Sequence, residues 1–260
     1  MYVDASKRDI CCIKGTKAVI LVAPHAFDGD IDRGLGKDDQ NTGTLARDMA
    51  ARHGFYAVIN DRYKRTGHRH CTDMNAGFID CNRIDQVSSF LKAPFLDRIV
   101  SFKEAILNKG NGVSLIVHLH GAHDRSFDAY QTKVQCPQAP GILLGYGQGE
   151  VPGGKRLTAS ETLIDLLITH LSGENGNGIM AVKTDPAYPN YCGRNPNNLN
   201  QFFRNGPYAD PRVQSVQVEI KKAYRQPAHL MNTARVLGAA LSRLADECLR
   251  KSESHNVHGV

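Results

Sequence analysis

Short, unbroken apolar runs constrain this chain more than any other feature. Ala18-Val19-Ile20-Leu21-Val22-Ala23 is the clearest, and similar runs recur over Phe55 to Asn60, Val113 to Leu119, Gly141 to Gly145, Ile179 to Lys183 and Val213 to Ile220. A strand with one wet face alternates apolar and polar residues, whereas a strand apolar on both faces has to be covered twice. Segments with helical spacing lie between the runs. The pattern predicts an α/β protein, a three-layer α/β/α sandwich around a mixed, mostly parallel central sheet.

The helical segments have recognisable ends. One begins at Asn41-Thr42, carries Leu45, Met49 and Ala50, and meets a terminator at Gly54. A second starts near Ala93, with Pro94 in its first turn, and runs to Asn108. Ser160 caps a third, to about Leu171. The last spans His229 to about Arg250 with a stripe of Leu230, Ala234, Leu237, Leu241, Leu244 and Leu249. Gly29 to Gln40 and the Pro- and Asn-rich stretch Thr184 to Tyr208 read as long loops, a frequent location for function. A chain of 260 residues suits one such domain, expected over residues 1–250, with 251–260 as a disordered tail.

Charge and cysteine usage narrow the setting. The formal net charge of +6 is spread along the chain without interleaved aromatics, which predicts a solvated surface and no nucleic-acid partner. No run reaches the length of a membrane helix, and Met1 to Asp9 has no signal-like apolar stretch, so the expectation is a cytoplasmic protein with no membrane partner. The seven cysteines show no two-residue spacing and are expected to remain thiols.

Four places could carry chemistry. The first apolar run ends in Pro24-His25-Ala26-Phe27-Asp28, offering a nitrogen and an oxygen ligand at a sheet edge, with Asp30 also in reach. Ile116-Val117-His118-Leu119-His120 offers a second strand end, where His118 and His120 point to the same side of the sheet. Histidines packed beside core residues would fit the same pattern. In Asp80-Cys81-Asn82-Arg83, the Asn-Arg pair could hold a carboxylate by charge-assisted hydrogen bonds, or simply form a turn with a solvated arginine. In Gln217-Val218-Glu219-Ile220, a glutamate within an apolar strand is costly to bury unless it is paired or used as a base; the alternative is a wet strand face.

Taken in order, Pro24-His25, Asp39 with Thr42, Asp80-Cys81-Asn82-Arg83, Leu119-His120, and Gln217-Val218-Glu219 followed by Tyr224 resemble the N-formylglutamate amidohydrolase family. That family belongs with the zinc carboxypeptidase-like hydrolases, and the resemblance covers about residues 17 to 240. It implies that fold and a Zn(2+) cofactor held by His25, Asp28 and His120, with an open position for water. It further implies Glu219 as general base, Asn82, Arg83 and Tyr224 as substrate-binding residues, and Arg62 polarising the scissile carbonyl, with Arg65 as its substitute. His118 would support a ligand rather than be one. The implied substrate is a small anionic one: an N-acyl amino acid such as N-formylglutamate, a peptide or a γ-glutamyl compound. Thr66 to Asp73 is longer than the family pattern and reads as a solvated insertion. Two rivals stand beside this reading: a cysteine-dependent hydrolase using Cys71 and His70, and a non-catalytic module that binds acidic peptide ends.

Overall fold

The computed structural model describes residues 10–27, 39–65, 79–87, 94–109, 113–150, 157–173, 178–189, 191–206 and 208–256. The strands are β1 (Cys11–Ile13), β2 (Val19–Ala23), β3 (Tyr56–Ile59), β4 (Ser114–Ala122), β5 (Ile142–Gly145), β6 (Ala181–Lys183) and β7 (Val213–Lys221). The helices are α1 (Thr42–His53), α2 (Ile84–Val87), α3 (Pro94–Leu107), α4 (Asp124–Val134), α5 (Glu161–Ser172), α6 (Leu199–Asn205) and α7 (Pro227–Asn256), the last preceded by a 3-10 turn over Lys222–Arg225.

Among these residues one seven-stranded sheet has the order β1-β3-β2-β4-β7-β5-β6. The β2–β3, β2–β4, β4–β7 and β5–β6 pairs are parallel, while β1–β3 and β5–β7 are antiparallel. The sheet is therefore mixed and mostly parallel, as its doubly apolar strands require. Alternation along each strand divides the core. Val19, Leu21 and Ala23 of β2, Val117 and Leu119 of β4, and Val216 and Val218 of β7 pack with residues of α1, α5 and α7. Ile20, Val22 and Ile116 face the opposite way, toward Phe95 and Ile99 of α3 and Phe202 and Phe203 of α6. Each fully buried aliphatic or aromatic side chain contributes roughly 1.5–3 kcal/mol, so both covers are needed to hold the sheet.

Local chemistry sets the ends. Asn41 takes the left-handed conformation (φ 67°) before α1, and Gly54 (φ 70°) closes it with a hydrogen bond from its N–H to the Ala50 carbonyl. Ser160 accepts the Leu163 N–H at the start of α5, and Asn198 accepts the Asn200 N–H at the start of α6.

The long polar segments hold more structure than expected. α4 presents only Phe127 and Tyr130 as buried apolar residues, and α6 lies within the stretch read as one loop from Thr184 to Tyr208. The three-residue β1 is an antiparallel edge strand that shows no alternation to read. α7 continues past Arg250 to Asn256, through a sequence with no Gly or Pro stop.

Candidate functional site

Register builds the site. Parallel pairing of β4 with β7 sets His120 opposite Glu219 and His118 opposite Gln217. His25 lies just beyond the end of β2, and Asp39 precedes α1 with its N–H bonded to the His25 carbonyl at 2.9 Å. His25, Asp39, His120 and Glu219 thus gather at the carboxyl ends of neighbouring parallel strands, where open α/β sheets place their ligands.

His25, Asp39 and His120 are buried and form a group able to hold a metal ion, with one donor atom from each within 4.8 Å of the others. Asp39 Oδ2 lies 3.3 Å from His25 Nδ1 and 3.4 Å from His120 Nδ1, and it accepts the Gly121 N–H at 3.0 Å. Asp80 Oδ1 sits 2.7 Å from His25 Nε2, fixing the ring from its far side, the arrangement in which a carboxylate orients a ligating histidine. The two imidazoles meet edge to face at 4.9 Å. His120 Nε2 is buried without a hydrogen-bond partner among the described residues. Two imidazoles, a carboxylate and an orphaned ring nitrogen fit a zinc ion, whose usual ligands are these groups.

Burial opposes charge on His25, but the Asp80 and Asp39 carboxylates prevail and raise its pKa to about 9. Burial likewise works against ionised Asp39, yet hydrogen bonds from His120 and His25 hold it well below the usual carboxylate range. Desolvation also opposes charge on the partly buried Asp80, and the His25 cation outweighs it, bringing its pKa down to about 2. Two anions therefore embrace one imidazolium, and a divalent cation would displace its proton. Glu219 is buried and its pKa is raised by that burial; Gln217 Nε2 donates to its Oε1 at 2.9 Å.

No protein-family model matches the chain, and no curated protein matches it in sequence. Solved structures do match. An N-formylglutamate amidohydrolase from Ralstonia eutropha JMP134 superposes with a TM-score of 0.57 at 15% identity, over 94% of this chain and 99% of that one. A gene product of Agrobacterium tumefaciens superposes at 0.56 with 14% identity, over 97% of this chain and 99% of that one. The fold is similar to that of an N-formylglutamate amidohydrolase. The three-layer architecture and mixed sheet expected from the apolar runs are those of this amidohydrolase-like fold.

A cleft of about 200 Å³ adjoins the cluster, lined by Asp80, Asn82, Arg83, Gln86, Arg194 and the asparagines of the 195–198 turn. A short backbone bridge builds it: the Leu199 N–H bonds to the Asn82 carbonyl and the Ile84 N–H to the Asn197 carbonyl, both at 2.9 Å. This bridge brings the Asp80-Cys81-Asn82-Arg83 motif against the Asn-rich segment. Asn82 Oδ1 is buried and unpartnered among the described residues. Arg83 is held by Asp85 through Nε at 3.0 Å and Nη2 at 2.5 Å. Arg194 forms no ion pair among the described residues, and its loop is pinned at the Gly193 carbonyl by amides of Gln201 (2.8 Å) and Asn200 (3.5 Å).

Other expected residues lie elsewhere. Arg62 is exposed with its guanidinium over the Tyr63 ring at 5.1 Å, whereas Arg65 reaches within 3.4 Å of His25 Nδ1. Tyr224 packs against the α5 and α7 side of the sheet; a Cβ on Gly141 would come within 2.6 Å of its ring. It is not brought to the cluster. His118 is fully buried, with Nε2 3.0 Å from Ser215 Oγ, and burial together with the neighbouring His120 lowers its pKa to about 3, a neutral packed imidazole. Asp28, Asp30, Thr66 to Asp73 and the His70-Cys71 pair lie outside the described residues.

Sequence reasoning missed the placement of Asp39, the partnership of Asp80 with His25, and Arg194. For Asp39 and Asp80 a signal existed, since each belongs to a motif already singled out. Nothing in the sequence distinguished Arg194 from surface arginines.

Proposed function

We infer that this protein is a zinc-dependent hydrolase that cleaves the amide bond of a carboxylate-bearing substrate. The convergence of His25, Asp39 and His120 beside buried Glu219 carries the inference. Among candidate substrates, N-formylglutamate and related N-acyl amino acids come first because of the amidohydrolase with a similar fold; γ-glutamyl compounds share the same chemistry. Asp39 supplies the carboxylate at the cluster, and Asp28 remains a proposed ligand from the sequence resemblance.

Bound zinc would supply Lewis acidity, polarising the carbonyl and lowering the pKa of a coordinated water. Glu219, made more basic by its burial, takes the proton of the attacking water and delivers it to the departing amine nitrogen. Gln217 holds Glu219 and itself accepts from Asn198 Nδ2 at 3.0 Å, linking the base to the wall of the cleft. Asn82 and Arg83 orient the substrate carboxylate, and Arg194 adds a cation with no ion pair of its own among the described residues. Arg65, beside His25, and Arg62 are the side chains proposed to polarise the scissile carbonyl.

The test is a hydrolysis screen of N-formyl, N-acetyl and γ-glutamyl amino acids with added zinc. Amine release is expected from at least one class, abolished by His120→Ala and reduced about 10²–10⁴-fold by Glu219→Gln with ligand binding retained. Turnover unaffected by both substitutions would refute the assignment.

A further inference from the structure

One buried cation touches three of the four chain segments that bring His25, Asp39, His120 and Glu219 together. Arg225 lies in the 3-10 turn after β7 and is 4% exposed. Its Nε donates to the Ile220 carbonyl at 3.1 Å, Nη2 donates to the Ala122 carbonyl at 3.3 Å, and Nη1 donates to the Gln40 carbonyl. Ile220 follows Glu219, Gln40 follows Asp39, and Ala122 lies two residues after His120. The Arg225 carbonyl in turn accepts Asn41 Nδ2 at 2.6 Å, tying the start of α1 to the same turn.

Close packing ties this arginine to the site. A Cβ on Gly121 would come within 2.3 Å of Arg225 Cζ, so the guanidinium lies directly against the backbone of Gly121. The Gly121 N–H donates to Asp39 Oδ2, the carboxylate oxygen between the two histidines. Only a planar fork reaches three carbonyls on diverging segments; a lysine ammonium is a compact point charge on a flexible stem.

We propose that Arg225 is a positioning residue that staples the ends of β4 and β7 to the entry of α1, so that His120, Glu219 and Asp39 hold the spacing needed for metal binding and turnover. It touches neither substrate nor metal. The proposal rests on the reading of the cluster as a metal centre, and it gives Gly121 a reason to be glycine.

The experiment compares wild type with Arg225→Lys, Arg225→Ala and Gly121→Ala by zinc titration of the chelator-treated full chain against a chromogenic chelator, alongside steady-state kinetics and thermal melting. Outer-shell partners of metal ligands are typically worth about 10–100-fold in affinity or activity. A zinc-affinity loss in that range is expected for Arg225→Lys and Arg225→Ala, and a smaller one for Gly121→Ala. In Arg225→Ala, kcat should fall while KM changes little, and millimolar guanidinium should restore part of both kcat and zinc affinity, whereas a side chain that merely stabilised the fold would show no such rescue. Should Arg225→Ala fail to fold, Arg225→Lys and Gly121→Ala decide. Zinc affinity and kcat within about threefold of wild type in the folded variants would overturn the proposal. Wild-type protein that binds zinc but cleaves none of the amides would count against the proposed reaction, and the titration would still judge Arg225.

Discussion

His25 is the residue on which the site turns, because both of its nitrogens face carboxylates and its charge state couples folding to metal binding. In metal-free protein its folded pKa of about 9 exceeds the ordinary imidazole value of 6.5. The stabilisation is therefore fully present below pH 6.5 and is lost as pH rises through about 9. One pKa unit corresponds to about 1.4 kcal/mol, so the effect amounts to at most about 3–4 kcal/mol. The chelator-treated wild type should lose melting temperature between pH 7 and 10, and His25→Gln should lose much less over the same interval. Equal pH slopes for the two proteins would show that His25 is not a buried cation in the metal-free state. Bound zinc should flatten the wild-type slope, because the metal replaces the proton.

At the scale of elements, the cleft wall is supported from beneath by a buried polar network. Asn200 of α6 accepts Ser215 Oγ at 2.8 Å, donates to Thr158 Oγ1 at 3.0 Å, and reaches the Gly193 carbonyl next to Arg194. Ser215 Oγ also meets His118, so β4, β7, α6 and the cleft loop share one set of hydrogen bonds. Removing one member leaves buried partners unsatisfied, at about 1–3 kcal/mol. Asn200→Ala should therefore lower stability by about that amount and raise KM more than it lowers kcat, as measured by denaturant melts and steady-state kinetics. The strands that carry this network were legible in sequence because burial on both faces leaves unbroken apolar runs. α6 was not, since Leu199, Phe202 and Phe203 are set among asparagines that read as turn formers, and the capping role of Asn198 depends on the helix being there. α4 escaped for a related reason: two buried aromatics in a polar segment fall short of an amphipathic stripe.

Across the whole molecule, sheet order converts sequence distance into proximity. β2, β4 and β7 are adjacent, so His25, His120 and Glu219, separated by about a hundred residues each, arrive at one edge. The histidines and Glu219 were readable because each interrupts an apolar run near its end. The carboxylate was harder to read, because Asp28, Asp30 and Asp39 all follow β2; among the described residues it is Asp39 that meets the two imidazoles. Asp39 does so because its N–H bonds to the His25 carbonyl and the Gly121 N–H bonds to its side chain. Among the described residues no helix is long and apolar enough to cross a membrane. The most direct test of the central claim is amine release from an N-acyl glutamate by chelator-treated protein as zinc is added back. Zinc-dependent catalysis predicts activity that rises from background and levels at one equivalent of zinc per chain, with Asp39→Asn needing far more zinc to respond. Full activity in the chelated protein, or a response in Asp39→Asn indistinguishable from wild type, would contradict it.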